Sequence, residues 1–176
     1  MMRSVVIYSS KTGFTKKYAK WLAEDLSADI FDATKVTAEM LEGYDTIIYG
    51  GGLYALGISG VEYIKQNRGK LKNKKVVVFA TGLSPSRDDT ILAVKNYNFT
   101  ADEQQYLRFF YLRGGFDYSK LNAFNKVIMT FLKWKLKMKN NEKLTPDERG
   151  MLASYNKPVD FVRRENIEEI IAYVKS

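Results

Sequence analysis

The stretch "YSSKTGFTKKYAKWLAEDL" runs from Tyr8 to Leu26, and its reading decides the fold. It places five hydroxyls (Tyr8, Ser9, Ser10, Thr12, Thr15) and one glycine, Gly13, between an apolar run and an amphipathic one. Upstream, "RSVVIYS" (3–9) is short and β-branched, the pattern of a buried strand. Downstream, Phe14, Tyr18, Trp21, Leu22 and Leu26 recur at helical spacing. The hydroxyl-rich segment is therefore a strand-to-helix turn. A helix that starts at Phe14 leaves its first amides unpaired, with the positive end of its dipole in the turn. Ser10, Thr12 and Thr15 add short donors, and Gly13 permits close backbone approach. Such a turn is either a plain capped connection or a cradle for an anion such as a phosphate.

The rest of the chain continues the alternation. "ADIFDA" (28–33), "YDTIIYGGGL" (44–53), "KKVVVFATG" (74–82) and "QYLRFFYLRG" (105–114) read as further strands. "TAEMLEGY" (37–44, capped at Thr37), "SGVEYIKQNRGKL" (59–71), "DDTILAVKNY" (88–97) and "RRENIEEIIAYVK" (163–175) read as helices. Near-continuous apolar strands that alternate with helices imply parallel pairing with both faces covered. The expected fold class is α/β: a doubly wound, five-stranded parallel sheet in the order 2-1-3-4-5. The 176 residues are expected to form a single domain, 1–176. Residues 114–160 break the rhythm and read as an insertion with a helix from Leu121 to Lys139.

The composition narrows the chemistry. With no cysteine and no histidine, thiolate nucleophiles, cysteine zinc sites, Ser-His-Asp triads and imidazole metal sites are excluded. No metal site and no catalytic side chain are assigned. What remains is carboxylate, lysine or tyrosine chemistry, or a borrowed cofactor. The N-terminal apolar run is too short for a signal peptide, so the expected location is the cytoplasm. A net charge of +8 suits an anionic partner.

The turn lacks GxxxxGK[ST], and Gly13 stands alone where a dinucleotide fingerprint needs three glycines. The pattern Ser10-x-Thr12-Gly13-x-Thr15, directly after strand one, resembles the phosphate loop of flavodoxins. "YGGGLYALG" after strand three and "ATGLSP" after strand four sit where that family carries its two flavin-contacting loops. The resemblance implies flavin mononucleotide as cofactor. It implies contacts from Ser9, Ser10, Lys11, Thr12, Gly13, Phe14 and Thr15 to the phosphate. It also implies contacts from Gly51, Gly52, Leu53, Tyr54, Thr81, Gly82, Leu83 and Ser84 to the ring. Tyr54 is the residue expected to stack on the isoalloxazine. Two departures stand out: Phe14 replaces a frequent asparagine, and the chain is basic where flavodoxins are commonly acidic.

The segment "RGGFDYSKLNAFNKVIMTFLKWKLK" (113–137) is similar to the corresponding part of the bacterial flavodoxin-like protoporphyrinogen oxidases. That likeness implies a quinone-linked, membrane-peripheral role. Read from its residues, the 121–139 helix has one wide apolar face: Leu121, Phe124, Val127, Ile128, Phe131, Leu132, Trp134 and Met138. Lys126, Lys133 and Lys137 sit roughly opposite. Such a helix either packs on its domain or lies on an anionic membrane. Two functions follow: an electron carrier between a reductase and a redox partner protein, or an oxidase that passes electrons to a quinone. No nucleic-acid recognition module is present, and no nucleic-acid partner is expected.

Overall fold

A computed structural model of the chain describes residues 3–176, and for residue 141 the backbone alone. Residues 1 and 2 of the expected 1–176 domain lie outside the described residues. Strand β1 (Ser4–Ser9) enters mid-sheet and pairs in parallel with β2 (Asp29–Asp32) on one side and β3 (Thr46–Tyr54) on the other. Next come β5 (Lys75–Gly82) and β6 (Leu107–Arg113), also parallel. The order β2-β1-β3-β5-β6 is the expected permutation. The additional strand β4 (Gly57–Ile58) folds back on β3 in an antiparallel pairing.

Alternation along each strand sends side chains to two cores. Val5, Ile7, Ile47, Tyr49, Val76 and Val78 meet Ile64, Leu71 and Val94 on one face. Those partners come from the short helices α2 (Glu62–Gln66) and α3 (Arg68–Leu71) and from α4 (Asp88–Asn98). Val6, Tyr8, Ile48, Val77 and Phe79 meet Tyr18, Leu22, Ile167 and Ile170 on the other. These belong to α1 (Phe14–Leu26), to the last helix α8 (Glu168–Lys175) and to the 3-10 turn before it. Burying a large aliphatic side chain contributes about 1.5–3 kcal/mol, so the central strands carry most of the stabilisation.

Three elements differ from the sequence reading. Segment 59–71 is two helices, because Asn67 adopts φ −95°, ψ 15° and its side-chain amide donates to the Tyr63 carbonyl at 2.8 Å. Asparagine thereby competes with the helix ladder. Segment 37–44 forms only a 3-10 turn, Met40–Gly43, without a side-chain cap. Residues Glu103–Tyr106 form a helical turn, α5, ahead of β6. It starts with reciprocal bonds: the Thr100 amide donates to Glu103 Oε2 (2.8 Å), and the Glu103 amide donates to Thr100 Oγ1 (3.3 Å).

After β6, strand β7 (Gly115–Phe116) pairs antiparallel with β8 (Val159–Asp160). Between them lie α6 (Ala123–Met138) and α7 (Pro146–Ser154). An Asn122 cap opens α6, and a Thr145–Glu148 capping box opens α7. No helix among the described residues is long and apolar enough to cross a membrane.

Glycine has a steric role at the centre of the sheet. A Cβ on Gly50 would run into the buried ring of Phe79, whereas one on Gly69 would meet nothing within 4 Å. Gly50→Ala is expected to lower unfolding free energy by about 1–3 kcal/mol through overpacking. Gly69→Ala should change it by less than about 1 kcal/mol. Urea denaturation of both variants checks the contrast; equal effects would contradict it.

Candidate functional site

The first turn of α1 lies at the carboxyl end of β1. Gly13 adopts φ +94° as the N-cap and provides no side-chain cap. Its amide donates to Ser10 Oγ at 3.2 Å, and its carbonyl accepts from the Lys17 amide at 3.0 Å. The amides of Lys11, Thr12, Phe14, Thr15 and Lys16 have no acceptor among the described residues. A glycine in the left-handed region is what lets the chain curl so that consecutive amides stay free. Thr12 is half-exposed, Lys11 is exposed, and Thr15 is buried.

Three segments converge here. Thr15 Oγ1 lies 2.6 Å from Thr81 Oγ1, tying the first turn to the end of β5. Gly52, on β3, lies between them. A Cβ there would stand 3.5 Å from Thr15 Oγ1, 3.9 Å from Thr81 Oγ1 and 4.0 Å from the Tyr54 ring. The missing side chain therefore keeps a concave spot lined by two hydroxyls and an aromatic edge. Gly51 is more tightly confined: a Cβ there would collide with Ile58 and with the Ser59 carbonyl. The Lys11 ammonium sits 4.2 Å from the centroid of the Tyr54 ring. Lys11, implied as a phosphate contact, here covers the aromatic residue of the second loop.

The remaining sequence-predicted residues take supporting positions. Ser9 Oγ lies 3.0 Å from Ser59 Oγ, so it faces the β4 turn. Phe14 turns its ring onto Gly115, where a Cβ would collide with it. Leu53 approaches Gly82: a Cβ on Gly82 would meet Leu53 Cδ1 at 2.9 Å and would also run into the Tyr111 hydroxyl. The carbonyls of Leu83 and Ser84 accept from Arg113 Nε (3.4 Å) and Tyr111 Oη (2.8 Å). Burial pushes the Tyr111 phenol up to about 12, so at neutral pH it remains a proton donor. The third loop is thus braced from β6, the first turn is tied to the end of β5, and the second loop meets the first through Lys11 on Tyr54.

Sequence reading did not single out Ser59, Tyr111 or Tyr18 in these supporting roles. Tyr18 is fully buried, and its hydroxyl donates to the Arg113 carbonyl at 2.7 Å and accepts from Asn166 Nδ2 at 2.6 Å. No local signal marks such residues, since their partners lie up to 148 positions away. The 114–160 segment touches the same edge. Lys17 pairs with Asp160 at 3.4 Å, Lys120 lies 5.9 Å from the Phe14 ring centroid, and Arg87 pairs with Asp147 at 2.8 Å.

Helix α6 corrects one sequence expectation. Its apolar residues do not share one face. Asn125 and Leu136 are buried and Met129 and Leu132 half-buried, which puts this narrow stripe against the domain. Phe124, Val127, Ile128, Phe131, Trp134 and Met138 are exposed, Phe124 at 72% and Trp134 at 58%. Helical spacing puts them roughly opposite the buried stripe. The helix is held by Tyr155, whose hydroxyl donates to the Met129 carbonyl at 2.6 Å, and by Tyr118, 2.7 Å from Thr130 Oγ1. Lys126 and Lys133 flank the packed side instead of standing alone in solvent.

A model of the flavodoxin domain matches residues 5–143, from β1 to just past α6. The chain belongs to the flavodoxin domain family. An uncharacterized protein of Methanocaldococcus jannaschii is 34% identical over 86 residues, covering 48% of this flavodoxin-domain chain and 57% of that protein. The chain therefore spans little more than half the length of the curated relative it matches. Among solved structures, an archaeal flavodoxin is 13% identical over 89% of this chain and 98% of its own, with a TM-score of 0.42. The two-electron reduced flavodoxin of Megasphaera elsdenii is 18% identical over 61% and 84%, with a TM-score of 0.45. A flavoprotein of Lactobacillus acidophilus in complex with FMN is 16% identical over 64% and 93%, with a TM-score of 0.41.

The geometry of this flavodoxin domain fits a bound phosphomonoester: free amides, short hydroxyls and a glycine-lined hollow lie together at one sheet edge. The Thr15–Thr81 bond is testable on its own. Removing one hydroxyl strands the other in a buried site, at a cost of about 1–3 kcal/mol. Thr15→Val and Thr81→Val should each be destabilising, and the double variant should lose clearly less than their sum. Additive losses in a denaturation cycle would show that the two hydroxyls are not coupled.

Proposed function

We propose that this chain binds flavin mononucleotide and carries electrons between a reductase and a redox partner protein. The phosphate is held by Ser9 to Thr15. The ring lies between Gly51–Tyr54 and Thr81–Ser84. The observation that carries this reading is the set of unpaired amides at Lys11, Thr12, Phe14, Thr15 and Lys16, beside the hollow at Gly52. A dianion satisfies such amides at a helix N-terminus. Family membership supports a flavin over other phosphorylated ligands. When bound, the flavin supplies the electron transfer, and the protein supplies position and electrostatics.

The residues assign themselves to separable tasks. Ser10 and Thr12 add hydroxyl donors to the amides. Thr15 can donate one proton if Thr81 donates to it, since either hydroxyl can be the donor in that pair. Tyr54 offers a stacking face once Lys11 leaves it. That exposed cation–π contact is worth about 0.5–1 kcal/mol, whereas each hydrogen bond to a charged group contributes about 1.5–3 kcal/mol. Exchanging the first for several of the second favours binding. The +8 charge suits a partner with an acidic surface.

A second reading has one observation in its favour. In it, the flavin oxidises protoporphyrinogen and passes the electrons to a quinone at the membrane surface. The favouring feature is the outward apolar face of α6, with four lysines and no carboxylate on that helix. Aromatic and aliphatic side chains beside lysines are the composition of an interfacial helix. Cytoplasmic placement is common to both readings, and membrane-peripheral placement belongs to this one alone.

Reconstitution tests the first reading. The protein should bind flavin mononucleotide and turn yellow, and Ser10→Ala with Thr12→Val should weaken binding by about 10-fold or more. Riboflavin, which lacks the phosphate, should bind far more weakly. Equal affinity for the two ligands would remove the cradle. Vesicles test the second reading. The full chain should sediment with anionic vesicles at low salt, and Phe131→Ser with Trp134→Ser should abolish this. Each lysine neutralised on α6 should cost about 1 kcal/mol of binding. Sedimentation that is indifferent to salt and to both apolar changes would sink the membrane placement.

A further inference from the structure

A polar cleft lies at the edge of the sheet beyond β6. It is an open depression of about 320 Å³, lined by Ser86, Arg113, Phe161, Arg163 and Asn166. We infer that this cleft binds a small organic carboxylate.

Two like charges share this opening. Arg113 and Arg163 line one cleft, and neither guanidinium has an ion-pair partner among the described residues. The nearby carboxylate of Asp160 is engaged elsewhere: Oδ2 with Lys17 at 3.4 Å and Oδ1 with the Val162 amide at 2.8 Å. Both guanidiniums keep donors free at one opening, and the positive potential there favours an anion. Arg113 is also pre-positioned. Its guanidinium lies 3.6 Å from the centroid of the Phe161 ring, and its Nε donates to the Leu83 carbonyl at 3.4 Å. Arg163 donates from Nη1 to the Val162 carbonyl at 2.9 Å. Each arginine therefore uses one of its five donors on backbone, and the others have no acceptor among the described residues.

The floor of the cleft is rigid. Tyr18, buried in α1, donates to the Arg113 carbonyl (2.7 Å) and accepts from Asn166 Nδ2 (2.6 Å) and from the Arg163 amide (3.4 Å). One phenol thus ties together the backbones that carry both arginines and the amide between them. A pair of planar forks on a fixed base matches the two oxygens of a carboxylate. The Phe161 wall adds an apolar side suited to an organic body over a bare inorganic ion. Leu83, whose carbonyl holds Arg113, belongs to the loop that follows β5, so the cleft adjoins the candidate ring site through that loop. The inference does not need the flavin reading: the arginines, the ring and the amide are in place whatever the first turn holds.

The test is chemical-shift mapping of the full chain, purified without flavin and again after loading with flavin mononucleotide. Sodium benzoate is titrated at constant ionic strength, with benzamide and inorganic phosphate in parallel. Benzoate should move the Arg113 Nε–H and Asn166 side-chain amide signals saturably in the millimolar range, in both preparations. Benzamide should not move them, and phosphate should bind more weakly than benzoate. Arg163→Gln, at an exposed position, should weaken benzoate at least tenfold while the remaining spectrum stays native. Tyr18→Phe should weaken benzoate by loosening the base. No saturable shift up to tens of millimolar, or a benzoate affinity unchanged by Arg163→Gln, would overturn the site. Phosphate binding tighter than benzoate would overturn the carboxylate assignment. Failure to load flavin with intact benzoate binding would count against the proposed function and leave this site standing.

Discussion

Parallel pairing is the constraint from which the rest follows. A strand that leaves the sheet at its carboxyl end must cross a face before it can pair again in parallel, so each connection begins at the same edge. The order β2-β1-β3-β5-β6 brings the ends of β1, β3 and β5 side by side. Turns separated by about forty residues in sequence thereby become neighbours. The apolar interior of these strands secures that alignment, since a slip of one residue would send each buried side chain to the wrong face. Gly50, packed on Phe79, marks how little space the central pair leaves.

At that edge the loops are held by different means. The first turn is fastened to β5 through one hydroxyl pair, Thr15 and Thr81. The third loop is fastened to β6 through Tyr111 and Arg113. The second loop reaches outward as the β3–β4 hairpin, with Tyr54 under Lys11. Bracing the first and third loops and leaving the second only lightly covered suits a flat ligand that slides between them. The free amides of the first turn are the costly part of the arrangement, because unpaired donors are favourable only where water or an anion reaches them.

The segment between β7 and β8 adds a surface that the core sheet does not need. Ion pairs at Lys17–Asp160 and Arg87–Asp147 bind it to both sides of the site edge. Its helix α6 keeps a narrow stripe for the domain and turns its larger residues outward. A helix that served only as padding would bury Phe131 and Trp134 and expose the smaller side chains. Phe161, just after β8, follows this segment and completes the cleft around Arg113.

Much of this was legible in the sequence. Near-continuous apolar runs marked β1, β3 and β5 and the 3.6-residue period marked α1, because the strands are buried on both faces and the helix on one. The hydroxyl-rich turn could be read because helix termini leave amides unpaired wherever they occur. The short elements could not be read this way. Asn67 splits a helix through its own side chain, and 37–44 closes only as a 3-10 turn. Tertiary structure alone decided which apolar face of α6 meets the domain, since a helix wheel cannot say where the neighbour lies. It alone placed Asn166 and the two arginines around the Tyr18 phenol, because contacts between distant residues leave no periodic trace in the chain.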